Sequence, residues 1–374
     1  MDVAGLRERR NQQVNRREFI GSAIGFAVSG CGTLGASSAE ARLARAAALA
    51  RQQLAEGAMR GVALGTDGTA AAYGLRTFAP TESPLDVDCR FDVASITKPL
   101  VAAALARLAA DGKFDPDAPF VRYLPGHVLG EDCRLTSIDL ATHSSGYENL
   151  EELRDGIGRY ADRAVFLRKC LLHRPAHARH WKFRYCCQNY IYLGFILEAI
   201  TGKPLDVACR ELVFDPLGMR NTSWGPIRDG GRVVQQPSGF VNTPNAPGEI
   251  NDERARNCAF PIGNAGVFTT VGDLLKFTED LALRKRFKRE YYDLLQRPAF
   301  RWEGKVRSFG FDMSPDSLLS KASPQAIRHS GFTGQTIFAD PATGMAAVVL
   351  TSRNCPHKEG LDNRSKMINK LVGG

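Results

Sequence analysis

The chain has 374 residues but no apolar run long enough to cross a bilayer as a helix, which takes about 20 residues. It lacks any CxxC pair, although nine cysteines are present: Cys31, Cys89, Cys133, Cys170, Cys186, Cys187, Cys209, Cys258 and Cys355. No Cys/His spacing resembles a zinc site, so no metal is expected. His173, His177 and His180 lie near one another, but Pro175 breaks the helix that would align them and no acidic ligand is close. Lysines and arginines are scattered, and no basic run carries regularly spaced aromatics, so nucleic acid is not an expected partner. Internal repeats and low-complexity segments are also missing.

What is present is an ordinary globular composition, 44% hydrophobic and 24% charged. A chain of this length buries one large core or folds as two domains. It does not need disulfides to fold. The cysteines beyond Cys31 therefore read either as buried free thiols or as pairs whose connectivity the sequence does not give. The formal net charge of +9 suits a protein that dwells near anionic surface polymers, but it identifies no partner.

The N-terminal segment reads as an address. Arg16-Arg17 precede a short apolar stretch over 20–28, a pattern that resembles a twin-arginine export signal. Val28-Ser29-Gly30-Cys31 resembles a bacterial lipoprotein box, in which Cys31 would be acylated and anchor the protein to a membrane. Cleavage near Ala36-Ser37-Ser38-Ala39 is the alternative. Residues 1–38 are thus expected to be an export signal, and the mature protein to work in the periplasm or cell envelope.

Further along, an alanine- and leucine-rich pattern over 39–56 predicts an amphipathic helix. Asp67-Gly68 between apolar runs 60–66 and 69–75 predicts a hairpin. The middle of the chain reads as helices between irregular stretches. Strands are expected again over 326–329, 336–340 and 345–351, before a last helix over 361–371. Strands at both ends with helices between them predict an α+β fold: an antiparallel β-sheet flanked by helices, built from both termini, with an inserted mainly helical domain. The boundaries expected are 39–113 and 256–374 for the sheet domain and 114–255 for the helical one.

The most informative tetrapeptide is Ser95-Ile96-Thr97-Lys98. Residues at i and i+3 share a helix face, so the Ser95 hydroxyl and the Lys98 amine should be neighbours. Pro99 is tolerated only in a first helical turn, which pins the helix start close to Ser95. Unpaired N–H groups there favour a developing alkoxide, and the Ser95 N–H can serve as an oxyanion donor. A lysine can act as the base that a serine nucleophile requires.

The segment Phe91-Asp92-Val93-Ala94-Ser95-Ile96-Thr97-Lys98 resembles the nucleophile segment of the class C β-lactamase family, a branch of the penicillin-recognising serine hydrolases. Leu140-Ala141-Thr142-His143-Ser144-Ser145-Gly146, Phe214-Asp215-Pro216-Leu217-Gly218-Met219 and Asn264-Ala265-Gly266-Val267-Phe268-Thr269-Thr270 follow in that family's order. His329-Ser330-Gly331-Phe332-Thr333-Gly334 resembles the form found in members that are not lactamases. No Ser-Asp-Asn occurs, which argues against a class A enzyme.

The resemblance implies that Tyr185 sits beside the serine and relays protons, with Cys187 at a position where the family carries a substrate-binding asparagine. It implies that His329, Ser330 and Gly331 line the substrate site on an edge strand, that Phe332 N–H completes the oxyanion hole, and that His329 carries a pH-dependent charge for a substrate carboxylate. It assigns His143 a structural turn. Asp252 resembles part of a segment that shapes the cleft. The function implied is an exported serine hydrolase that forms an acyl-enzyme on Ser95, using Lys98 and Tyr185 and no cofactor. Its substrates would be D-alanyl cell-wall peptides or small esters. A true β-lactamase and a catalytically silent binding protein of the same fold are the alternatives.

Overall fold

The computed structural model describes residues 36–78, 80–151, 160–228, 230–236, 245–316, 319–353 and 360–373. Residues 1–35 of the expected export segment, Cys31 among them, and Cys355 lie outside them, whereas residues 36–38 already belong to the first helix. Helix α1 (Ala36–Ala55) leads into strands β1 (Met59–Thr66) and β2 (Thr69–Thr77). Their turn residues Asp67 and Gly68 have φ of 43° and 74°, the backbone that a two-residue hairpin of matching twist requires. Strands β3 (Ser83–Pro84) and β4 (Phe91–Asp92) precede a 3-10 turn, Ala94–Ile96, and helix α2 (Thr97–Ala110). Ser95 therefore sits in a tighter turn just ahead of the α-helix that the sequence predicts, because Pro99 confines the regular helix to later residues.

The middle of the chain holds α3 (Ser137–Ala141), α4 (Arg163–Leu171), α5 (Cys187–Thr201), α6 (Leu205–Cys209) and α7 (Asp215–Leu217). Strand β5 (Ser223–Trp224) and α8 (Glu253–Arg256) come next, then β6 (Val267–Thr269), α9 (Val271–Leu283) and α10 (Arg289–Gln296). The chain closes with β7 (Phe300–Trp302), β8 (Lys305–Arg307), β9 (Ile327–Ser330), β10 (Thr336–Asp340), β11 (Met345–Arg353) and α11 (Gly360–Leu371).

Six strands form one antiparallel sheet in the order β3-β2-β1-β11-β10-β9. The first strand thus pairs with the last, Val62 opposite Thr351 and Leu64 opposite Val349. Side chains alternate across the pleat. Val62, Leu64, Phe338, Ala347 and Val349 pack with Ala46, Ala50, Met367, Ile368 and Leu371 of α1 and α11. Their neighbours Ala63, Ile337, Val348 and Leu350 face the opposite layer, in which α9 contributes Leu274 and Phe277. Helix α2, with Leu100, Val101, Ala103 and Leu105 wholly buried, runs through this second core and packs against α5 and α10. Strand β4 leaves the main sheet to pair with β6, which also pairs with β5.

One close approach fixes the end of this layer near Ser95. A Cβ on Gly263 would lie 2.1 Å from the Tyr190 carbonyl oxygen of α5, so only glycine lets this segment sit on the helix. Gly263→Ala is expected to destabilise the fold by about 2 kcal/mol, in the range for overpacking a tight contact. Urea unfolding that shows unchanged stability would refute that packing account.

Candidate active site

The Ser95 turn is held in a backbone that an alanine rarely adopts. Ala94 has φ of 45°, a left-handed conformation that persists only when the surroundings fix it. Three contacts do so. The Ala94 N–H donates to Asp92 Oδ1 at 2.8 Å, Val93 N–H donates to the Val267 carbonyl at 3.0 Å, and Thr333 Oγ1 donates to the Asp92 carbonyl at 3.0 Å. The Asp92 carboxylate also accepts from Asn251 N–H at 2.7 Å. Asp92 is fully buried, and burial raises its pKa to about 6 against the lowering effect of these hydrogen bonds.

One helical turn on, Lys98 is completely buried in the first turn of α2. Its Nζ donates to Ser95 Oγ at 2.9 Å and to the Asn264 carbonyl at 2.8 Å, and its third side faces Tyr185, whose ring centroid is 5.1 Å away. Two acceptors and the Tyr185 phenol nearby suit the three N–H bonds of an ammonium. Burial pulls the Lys98 pKa down, but charge on Cys187 and Tyr185 and the Tyr185 hydrogen bond outweigh it, and the net direction is upward. The Asn264 side chain is fixed in turn by Asp252, whose Oδ1 accepts from Asn264 Nδ2 at 3.1 Å and from the Ala255 N–H that starts α8. The sequence reading named Asp252 for the cleft, but neither the Asn264 carbonyl nor Asp92, although both lie inside the motifs it quoted.

Tyr185 lies just before α5, 5.1 Å from Lys98 Nζ to ring centroid, and is 43% exposed, so the phenol faces the opening. The turn at His143 supports it. His143 is buried with φ of 60°, its ring centroid stands 4.4 Å from that of Tyr185, and its Nδ1 accepts from Cys186 N–H. His143 thus has the structural place expected of it. Cys187 begins α5 and its N–H donates to Asn149 Oδ1 at 2.8 Å. Cys186 and Cys187 are free thiols, as are Cys89, Cys133, Cys170, Cys209 and Cys258.

Strand β9 is the sheet edge and packs on the Ser95 turn. A Cβ on Gly331 would lie 2.6 Å from the Val93 carbonyl oxygen, which explains glycine there. Both Gly331 backbone groups are used inside the fold: its N–H donates to the Gln335 carbonyl and its own carbonyl accepts from Arg364 Nη1. Gly331 therefore seats the strand against the nucleophile segment. Ser330 and Phe332 are exposed beside it.

His329 corrects a second expectation. It is 4% exposed, and burial together with the nearby charges of Arg307 and Lys98 holds its pKa well below the ordinary imidazole range. His143 is depressed for the same reasons. Two neutral imidazoles therefore flank Tyr185, whose ring centroid is 6.5 Å from that of His329. The local cation is Arg307, at the end of β8, which the sequence reading did not single out. Its guanidinium lies 5.3 Å from the Phe183 ring centroid. Phe183 and Tyr185 line an open cleft of about 420 Å³. His173, His177 and His180 form no metal-holding group among the described residues. Instead, His180 Nε2 meets Asp139 Oδ1 at 2.7 Å.

Comparison with known proteins matches residues 46–369 to the family described as Beta-lactamase. The chain is 25% identical over 320 residues to a putative D-alanyl-D-alanine carboxypeptidase of Escherichia coli (strain K12), covering 73% of this chain and 70% of that protein. It is 26% identical over 309 residues to an N-acetylmuramyl-L-alanine amidase of Bacillus subtilis (strain 168), covering 70% and 68%. Among solved structures it is similar to EstCE1, a hydrolase with promiscuous acyltransferase activity (TM-score 0.76, 21% identity, 90% of this chain and 100% of that one). It is also similar to a β-lactamase/D-alanine carboxypeptidase from Pseudomonas syringae (TM-score 0.72, 17% identity, 89% and 98%).

Two outcomes follow from the electrostatics. An aspartate whose folded pKa is raised to about 6 binds its proton more tightly in the folded state. Its contribution to stability is full below about pH 4 and is lost as the pH rises through 6. The unfolding free energy of wild type minus that of Asp92→Asn should therefore fall by on the order of 3 kcal/mol between pH 4 and 7. A gap that stays constant in urea melts across that range would contradict it. For His329, the neutral ring means that kcat/KM profiles of wild type and His329→Gln should share the same inflections between pH 5.5 and 7.5. An inflection near ~6.5 that disappears in the variant would restore the charged histidine.

Proposed function

The chain belongs to the beta-lactamase family, and we propose that it is a serine hydrolase that forms an acyl-enzyme on Ser95. The observation that carries this reading is the Lys98 ammonium, buried and donating to Ser95 Oγ at 2.9 Å, with the Tyr185 phenol on its open side.

In this reading, Ser95 attacks a carbonyl carbon while its proton passes to Tyr185, which is competent once the Lys98–Tyr185 unit has given up one proton. Lys98 stabilises the phenolate and the alkoxide in turn. The backbone N–H groups of Ser95 and Phe332 hold the oxyanion, an interaction whose loss typically costs ~10²–10³ in kcat. Tyr185 then returns the proton to the leaving group, and an incoming water repeats the cycle in reverse to release the acyl group. No step calls for a cofactor.

D-alanyl peptides and small esters are the proposed substrates, consistent with the putative D-alanyl-D-alanine carboxypeptidase among the curated relatives and the hydrolase with promiscuous acyltransferase activity among the structural neighbours. Cys187 counts against the β-lactamase alternative, because a thiol is a poor partner for an acyl amide. The reading includes export to the cell envelope, which Arg16-Arg17 ahead of the apolar stretch supports.

Labelling with a fluorophosphonate and with a fluorescent penicillin, compared between wild type and Ser95→Ala, tests the proposal. Wild type should label with the fluorophosphonate and the variant should not. Labelling by both probes with rapid penicillin turnover would favour the lactamase. A folded wild-type protein that labels with neither would favour a silent binding protein.

A further inference from the structure

We propose that Arg364 is a positioning residue of the oxyanion hole: by holding the Gly331 carbonyl, it aims the Phe332 N–H and strengthens it as a donor. This deepens the acyl-enzyme reading and rests on it. Arg364 stands on α11, 33 residues along the chain from Gly331, and is only 5% exposed. Its Nη1 donates to the Gly331 carbonyl and to the Gln335 carbonyl, both at 2.9 Å. The Gly331 C=O and the Phe332 N–H belong to one peptide unit. That unit is planar and trans, so the two groups point in opposite directions. A donor that anchors the carbonyl therefore decides where the N–H is aimed.

The layering of the fold supplies the target. Helix α11 packs with α1 on one face of the sheet, whereas Val93 and Ile96, which flank the Ser95 turn, belong to the core on the other face. An N–H that points away from Arg364 thus points toward the layer that holds Ser95. The rest of the turn is pinned by neutral groups. Gln335 is fully buried; its carbonyl also accepts from Gly331 N–H at 2.9 Å, and its Nε2 donates to the Thr351 carbonyl at 3.1 Å. Thr351 Oγ1 donates to the Gly334 carbonyl at 2.9 Å, and Thr333 Oγ1 ties the turn to the Asp92 carbonyl of the nucleophile segment. Arg364 adds a cationic donor to this frame. A hydrogen bond from a charged donor is stronger than a neutral one and polarises the peptide it reaches, so the N–H at the far end of that peptide becomes the better donor. Charge developing on a substrate oxygen would then be met by the guanidinium through a single peptide unit. The interaction grows as the oxygen becomes an oxyanion and is small in the ground state, so it acts on kcat and not on KM. Buried behind the strand, Arg364 acts through that peptide and not by touching substrate.

The test measures kcat and KM for p-nitrophenyl acetate in wild type, Arg364→Met and Arg364→Lys, and the amide resonance of Phe332 in protein isotope-labelled at the phenylalanine nitrogens, assigned with Phe332→Leu. Arg364→Met should lower kcat by at least about tenfold with KM nearly unchanged, and Arg364→Lys, which keeps a cation, should fall between the two. The Phe332 resonance should move in Arg364→Lys, because the peptide loses part of its polarisation. A kcat within about twofold of wild type in folded Arg364→Met, a loss that appears in KM alone, or an unmoved Phe332 resonance would overturn the proposal. If Arg364→Met does not fold, Arg364→Lys decides: a lowered kcat at constant KM supports the role, and a wild-type kcat refutes it. Should wild type neither hydrolyse the ester nor label with the fluorophosphonate, the acyl-enzyme reading fails. The resonance then judges Arg364 separately, displacement in Arg364→Lys being the supporting result and coincidence with wild type the refuting one.

Discussion

A lysine ammonium without access to water has to find an acceptor for each of its protons, and much of the geometry around Ser95 follows from that demand at Lys98. One proton goes to the serine hydroxyl, one to a backbone carbonyl at Asn264 and one toward Tyr185. Each acceptor arrives on a different element: the turn before α2, the segment before β6, and the lead into α5. Satisfying a buried charge thus brings three remote parts of the chain together, and leaving it unsatisfied would be far more destabilising than any single packing defect. The supports of those acceptors, Gly263 against Tyr190 and Asp252 against Asn264, are part of the same requirement.

Around this charge the site is kept electrically simple. His143 and His329 are buried against the positive charges of Lys98 and Arg307, so both are neutral aromatic walls and not proton donors. In the proposed mechanism the titratable work is left to Ser95, Lys98 and Tyr185. The strain at Ala94 belongs to the same design: Asp92, tied to Ala94, Asn251 and Thr333, holds the hydroxyl at the mouth of the turn.

The parts of this arrangement that were legible in the sequence are the ones set by local rules. Ser95 and Lys98 meet because residues three apart share a helix face, and Asp67-Gly68 makes a hairpin because both positions take positive φ. The alternating strands at the two ends of the chain announced the sheet. What stayed hidden depends on long-range contacts. The Asn264 carbonyl is a backbone acceptor that any residue could supply, so its side chain carries no signal. The neutrality of His329 comes from burial and from charges on α2 and β8, which no motif around His329 encodes. Arg307 is a lone arginine in a polar hairpin, and only its burial close to His329 and His143 in the folded protein distinguishes it. The motif around Gly331 likewise does not announce that the strand needs glycine there to pass over Val93.

The pairing of β1 with β11 has a consequence for how the protein comes into being. Strand β1 at the centre of the sheet pairs with β11, far along the chain, and β9, which flanks the Ser95 turn, is anchored through β10 to that same distant strand. Contacts this distant in sequence close slowly. A fragment that stops before β11 therefore lacks the partner of β1 and the wall beside the Ser95 turn, so that turn takes its final surroundings only after a long loop has closed.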